Sequence, residues 1–267
     1  MRRRFFVLIL FLSIHVSHGV SAVHCETTYV YNDAGVGPES LKQVLHTLQE
    51  LLPPSCPVRT LDAAAVQAGD WVKDASLLIM PGGADLPYAR ALNGAGNAVI
   101  RRYVENGGAY LGFCAGAYYG ASYVEFDRGG RWEVLGPREL SFFPGKAIGP
   151  ALAPYDYFSN RGARVAFLHM GHDGANELPA YVNGGGYFED AVQFSDVTVL
   201  GWYPGLEPRA AIVKIKVGRG VAILSGAHIE YDPALLNRRD PYLAPLIPVL
   251  TQTNAERVKW LKTILML

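Results

Sequence analysis

Three segments of this chain carry residue types suited to acyl transfer. In Tyr110-Leu111-Gly112-Phe113-Cys114-Ala115-Gly116-Ala117 an apolar run ends at a cysteine whose second neighbour on each side is glycine. That spacing suits a nucleophile elbow. A strand turning abruptly into a helix strains the backbone at the apex, and side chains two places before and after obstruct the turn. The helix predicted to follow, Ala115 to about Tyr123, points free N–H groups and a positive dipole end at the sulfur, which favours the thiolate. Free cysteine is also a common core residue, so this segment by itself leaves a packing role open.

Ser225-Gly226-Ala227-His228-Ile229-Glu230 follows the apolar run Gly220 to Leu224 and reads as a strand end. Its histidine and carboxylate, two residues apart, are expected on one face, where the carboxylate holds the imidazole tautomer. Upstream, Leu77-Leu78-Ile79-Met80 runs into Pro81-Gly82-Gly83, a turn whose bare N–H groups suit a developing oxyanion. Each segment has an ordinary counterpart, a satisfied core histidine or a strand-end turn. In the order oxyanion loop, cysteine, histidine, glutamate, they form a set for acyl transfer.

Order and wording resemble the class I glutamine amidotransferase-like superfamily, which implies a flavodoxin-like three-layer α/β core with a mostly parallel sheet. Pro81-Gly82-Gly83-Ala84-Asp85-Leu86-Pro87-Tyr88, Gly112-Phe113-Cys114-Ala115-Gly116, Val124-Glu125-Phe126 and Asn183-Gly184-Gly185-Gly186-Tyr187-Phe188 are similar, more narrowly, to the N-terminal domain of eukaryotic-type biotin-protein ligase, from about Thr27 to Asp232. The superfamily pattern implies Cys114 as nucleophile, His228 as base and Glu230 as its orienter, with Gly83 and Ala115 supplying oxyanion N–H groups. Many amidotransferases carry proline between the histidine and glutamate; Ile229 stands there and is expected to keep the chain direction. Gly82, Asp85, Tyr88 and Glu125 are candidates for substrate contact.

The glycines at 184–186 cost conformational entropy, which points either to close backbone approach at a ligand or to a flexible hairpin tip. The family resemblance favours a loop, Asn183 to Tyr187, lining the cysteine pocket. A ligase needs a glycine- and arginine-rich loop for its adenylate, and the comparable fragment Gly218-Arg219-Gly220 reads as a hairpin turn, so ligase activity is not expected. His169, His172 and Asp173 read as a polar loop rather than a metal site, and no cofactor is implied.

The first 22 residues combine a basic start (Arg2, Arg3, Arg4), an apolar stretch from Phe5 to Ile14 and a small-residue site ending at Ala22, the pattern of a secretory signal peptide. The stretch is shorter than the roughly 20 residues of a membrane span. A secreted or periplasmic protein is expected, with one domain over 23–267. In that setting three cysteines suggest one disulfide, Cys25 with Cys56, and a free Cys114. Formal net charge is zero, with no block of like charge, which removes the electrostatic footprint of nucleic-acid or anionic-membrane binding. The expected partner is a small-molecule or peptide amide, with a protein partner left open.

Positioning these residues requires alternating strands and helices. Strands are predicted at Thr28 to Asn32, Val58 to Leu61, Leu77 to Met80 and Ala109 to Phe113. Helices are predicted from Pro38, with Leu41, Val44, Leu45, Leu48, Leu51 and Leu52 on one face, and over Ala98 to Glu105. Such alternation gives parallel pairing, with ligands beyond the carboxyl ends of the strands. Past Val124, strand-like pieces at Glu139 to Phe142, Arg164 to His169, Val197 to Tyr203 and Ala210 to Val217 predict an antiparallel extension that returns through Val221 to Leu224. A final amphipathic helix, Ala255 to Leu267, is expected to dock on the core. Two functional classes follow: a cysteine hydrolase acting on a carboxamide, γ-glutamyl or peptide bond, and a binding module that keeps the scaffold without turnover.

Overall fold

A computed structural model describes residues 25–152, 154–171, 176–205 and 209–265. The segment expected to be a signal peptide, residues 1–22, lies outside them, as do His172 and Asp173. From the first strand, β1 (Thr27–Tyr31), the chain runs through α1 (Pro38–Leu51), β2 (Val58–Leu61), α2 (Ala63–Ala68), β3 (Ala75–Met80), α3 (Asp85–Leu92) and α4 (Ala95–Glu105) to β4 (Ala109–Phe113). It continues with α5 (Ala115–Tyr119), β5 (Ala121–Phe126), β6 (Val134–Pro137), β7 (Phe143–Gly149), β8 (Arg164–Met170), β9 (Asn176–Val182) and β10 (Tyr187–Phe188). Then come β11 (Val197–Tyr203), β12 (Arg209–Val217), β13 (Gly220–Ser225), α6 (Ile247–Gln252) and α7 (Asn254–Ile264).

β1 and β4 are buried at every position, which demands cover on both faces of the sheet. Five strands, in the order β2-β1-β3-β4-β13, pair in parallel. Alternate residues divide the core. Val30, Ile79, Leu111 and Ile223 meet Val44 and Leu48 of α1 and Leu261 and Ile264 of α7. Tyr31, Leu78, Tyr110 and Leu224 face the other way, into Val66, Leu92 and Ile100 of the second helical layer. Burying each of Val44 and Leu48 contributes about 1.5–3 kcal/mol, so α1 is held by packing rather than by propensity alone.

Antiparallel β12 extends the sheet beyond β13 and carries two branches. One runs β10-β7-β5-β6; the other is β11-β8-β9. Within the first branch β5 and β7 pair in parallel, so the extension is antiparallel in most of its ladders but not all.

Two expectations are corrected. The helix after Cys114 stops at Tyr119 instead of about Tyr123, because Gly120 O accepts from the Phe142 and Phe143 N–H groups and the chain from Ala121 pairs with β7 as strand β5. Glu139 to Phe142 is a connector between β6 and β7, its end tied to Gly120 O by the Phe142 N–H. Helices α2 and α3 and strand β9 had no periodicity strong enough to predict. Gly218 and Arg219 form the expected turn between β12 and β13, with Val217 opposite Gly220 and Gly218 at φ 57°.

Candidate active site

Cys114 sits at the end of β4 with φ 47° and ψ −104°, a strained backbone for a residue with a side chain. A Cβ at Gly112 lies 2.3 Å from Gly116 O, and one at Gly116 lies 2.1 Å from Met80 O. Both glycines are therefore steric requirements of the turn. The Cys114 N–H donates to Ser225 O at 2.8 Å, which fixes the elbow against β13. Because α5 spans five residues, its dipole acts on the sulfur through little more than one turn of peptide units.

His228 lies beyond β13 in a turn, so the expected same-face strand geometry is replaced by another one. Its N–H donates to Tyr181 O of β9 at 2.8 Å, an isolated bridge. Its Nδ1 pairs with Glu230 Oε1 at 2.6 Å, and both residues are buried, at 4% and 1% exposure. Burial alone pulls the imidazole pKa down. The Glu230 carboxylate, with Cys114 nearby, outweighs it and raises the group to about 10. Tyr231 lies 4.4 Å from the imidazole centroid and stacks on Tyr181 at 4.6 Å, so the ring is clamped as well as hydrogen-bonded.

Helices on one face of the sheet hold this turn. Thr47 Oγ1 donates to Glu230 O at 2.7 Å, Gln43 Oε1 accepts from the Asp232 N–H, and Arg257 Nη1 donates to Ile229 O. Ile229 is fully buried, so the hydrophobe expected to keep the chain direction is anchored in the core.

The Pro81-Gly82-Gly83 loop arches over the pair. A Cβ at Gly82 lies 2.8 Å from His228 Cε1 and 3.3 Å from Cys114 Cβ. Ser40 Oγ accepts from the Gly82 N–H at 2.7 Å, Gly37 N donates to Gly82 O, and Ala84 N donates to Gly35 O. These bonds flank Gly83, whose φ of 147° brings a virtual Cβ within 2.0 Å of Gly35 O. Among the described residues, the N–H groups of Gly83 and Ala115 have no partner, as an oxyanion site needs.

A cavity of about 880 Å³ opens over this centre, lined by Gly82, Gly83, Asp85, Cys114, Ala115, Asn183, Gly184 and His228 among others. The remaining substrate candidates serve other purposes. Asp85 is held by Arg138, with Nε and Nη2 both 2.7 Å from its Oδ2, in a pair buried on both sides. Tyr88 is fully buried and donates to Pro81 O at 3.2 Å, bracing the loop. Glu125 pairs with Arg128 at 3.0 Å and Lys146 at 3.7 Å, outside the cavity.

Gly185, Gly186 and Tyr187 also fall outside the lining. A Cβ at Gly185 lies 1.6 Å from Gly226 O, and one at Gly186 lies 2.7 Å from Ile148 O and from the Tyr118 ring. Close backbone packing, not a ligand, explains these two glycines. Tyr187 instead receives the Arg209 guanidinium over its ring at 4.9 Å. Cys25 and Cys56 form a disulfide, and Cys114 is free. The acidic and imidazole atoms of His46, Glu50 and Asp232 approach within 4.8 Å of one another, but Arg257 already lies 3.7 Å from Asp232 as a counter-charge.

Sequence reasoning missed Ser40, Thr47, Tyr181 and Arg138, which reach the site from distant segments, and Tyr231, which follows Glu230 directly but carries no local motif. Asn183 was expected on family resemblance alone. Its Oδ1 is buried without a hydrogen-bond partner among the described residues.

Among solved structures, PurLQS from Thermotoga maritima superposes with a TM-score of 0.54 at 15% identity, over 87% of this chain and 98% of that one. A putative ThuA-like protein from Bacteroides uniformis gives 0.51 at 14% identity, over 91% and 95%. These likenesses are of fold: a mixed α/β architecture with a mostly parallel sheet and antiparallel strands at one edge. In sequence, the chain is 40% identical over 210 residues to an uncharacterized protein of Chlamydia muridarum, covering 76% of this chain and 80% of that protein. It is 37% identical over 224 residues to a biotin–protein ligase of Schizosaccharomyces pombe, covering 79% of this chain but 35% of the ligase, so the match spans about a third of that relative's length. The sequence model described as "Biotin-protein ligase, N terminal" matches residues 27–267, and the chain belongs to that family.

Proposed function

We propose that this chain is a cysteine-dependent amide hydrolase that works through a thioester. The observation that carries the reading is the Cys114–His228–Glu230 arrangement: a strained cysteine and a buried imidazole packed against the same glycine, Gly82, at the cavity floor, with the imidazole Nδ1 held by a carboxylate at 2.6 Å. A ligand site without turnover has no use for all three groups. In the first step Cys114 Sγ bonds to the carbonyl carbon, and the oxyanion accepts from the Gly83 and Ala115 N–H groups. As the tetrahedral centre collapses, the C–N bond breaks and the His228 proton passes to the departing nitrogen. Water then adds to the thioester, gives a proton back to His228, and the C–S bond breaks to release a carboxylate and restore the cysteine.

No ligase step is assigned to the chain, because its Gly-Arg-Gly fragment is a hairpin turn with the Arg219 N–H bonded to Glu105 O. Export belongs to the same proposal, supported by the Cys25–Cys56 disulfide, which an oxidising compartment sustains. The test is the rate of Cys114 alkylation by iodoacetamide, mapped by mass spectrometry. The wild type is expected to react faster than a free cysteine near neutral pH, and His228→Ala to abolish the advantage. Alkylation no faster than a free thiol, in folded protein, overturns the reading.

A further inference from the structure

Beyond the dyad, the cavity has a feature that the hydrolytic reading leaves unused. Tyr118, one turn past Cys114 on α5, begins a ladder of ring contacts. Its ring meets Phe126 at 5.7 Å, Phe126 meets Tyr155 at 5.3 Å, and Tyr155 meets Tyr157 at 6.3 Å. Tyr157 then meets Trp132 at 5.6 Å, and Trp132 meets Phe158 at 5.3 Å. All six rings line the cavity, and the ladder climbs from the buried Tyr118 to Tyr157 and Phe158, which are 48% and 78% exposed. Large aromatic groups left in water beside a site and continuous with its floor mark a surface that a ligand covers.

The charges at the rim argue against a free amino acid. Glu39 engages Lys42 at 3.3 Å, Asp85 engages Arg138, and Asp156 accepts from the Phe158 N–H and Ser159 Oγ at 3.0 Å. Glu133 accepts from the Gly129 N–H at 2.6 Å, and Arg131 lies over the Trp132 ring at 4.6 Å. Each of these lining carboxylates already has a partner within the protein, so the α-ammonium of glutamine would have to compete for one. A cavity of 880 Å³ also has the capacity of a drug-sized ligand rather than of a single amino acid.

We infer that the bond cleaved is a secondary amide whose substituent is an extended aryl or alkyl arm lying along the Tyr118-to-Phe158 ladder, and that glutamine is not the substrate. The inference rests on the nucleophilic role proposed for Cys114, and the two are separable by experiment. Chloroacetamide and N-(2-phenylethyl)chloroacetamide alkylate the same sulfur, displacing chloride, and each rate is normalised to glutathione. The phenylethyl probe is expected to react with Cys114 roughly tenfold faster than the parent, and this ratio is expected to fall toward one in the Trp132→Ala/Phe158→Ala double variant. Binding of the unreactive N-(2-phenylethyl)acetamide to Cys114→Ala, followed by calorimetry, reads the arm without the chemistry. A ratio near one in the wild type, a ratio untouched by loss of both rings, or protection of Cys114 by glutamine overturns the inference. Binding of the acetamide together with a sluggish Cys114 keeps the arm and overturns the hydrolase instead.

Discussion

Replacing Glu230 by glutamine keeps the side-chain shape and removes the charge that holds His228. In the native chain the imidazole is buried and accepts that burden because a carboxylate lies 2.6 Å from Nδ1; together with Cys114 it lifts the pKa from 6.5 to about 10. A hydrogen bond to a charged partner contributes about 1.5–3 kcal/mol and a neutral one about 0.5–1.5 kcal/mol, so the substitution forfeits about 1–2 kcal/mol of preference for the imidazolium. At 1.36 kcal/mol per pH unit, the titration of His228 falls by about one unit or slightly more. The sign for stability follows from a raised folded pKa. The contribution of the charged histidine is complete below about pH 6.5 and is lost as pH rises to about 10. Glu230→Gln is therefore expected to lower Tm by about 2–8 °C at pH 6, with the deficit narrowing toward pH 10. The imidazole resonances of His228, followed by NMR across this range, give the titration directly, and the pH profile of Cys114 alkylation gives its consequence. A titration that stays in place or moves upward refutes the assignment of Glu230 as the group that charges His228.

Gly185→Ala puts a methyl 1.6 Å from Gly226 O, in the segment that leads to His228; overpacking of about 1–3 kcal/mol and a slower Cys114 alkylation are expected, and a wild-type Tm and rate together reject the close packing. Breaking the Cys25–Cys56 bond by a serine pair releases a loop spanning 31 residues and is expected to cost about 3–4 kcal/mol in denaturant titrations, whereas an unchanged midpoint rules out a stabilising crosslink. Arg138→Met leaves the Asp85 carboxylate buried and bare, a loss of about 3–5 kcal/mol. Burial already holds Asp85 above its ordinary pKa, so this deficit is expected to shrink as pH falls and the carboxyl protonates; a deficit that grows in acid contradicts the account.

The site was legible wherever its demands are local. Glycine at 112 and 116 is required by atoms at most one turn away or on the adjoining strand, and the spacing alone pointed to an elbow at Cys114. The His228–Glu230 spacing also gave the right pair, although for the wrong backbone: a turn bridged to β9, not a strand face, brings them together. The glycines at 184–186 showed that something comes close without showing what; at Gly185 it is the Gly226 backbone.

By itself the sequence determined the alternation of strands and helices through β4, apart from α2 and α3, together with the elbow, the hairpin at Gly218 and the cysteine, histidine and glutamate of the proposed site, because these follow from periodicity and from steric limits between near neighbours. Tertiary structure alone decided what holds the set in place. Thr47 reaches Glu230 across 183 positions of the chain, Ser40 reaches Gly82 across 42, and Arg138 reaches Asp85 across 53. The same is true of the Tyr181–Tyr231 clamp and the six-ring ladder, assembled from α5, β5, the loop before β6 and the segment before β8. A serine, a threonine or an aromatic ring has no periodicity that names its partner, and the partner is chosen only when the sheet order sets which loops meet at its carboxyl edge.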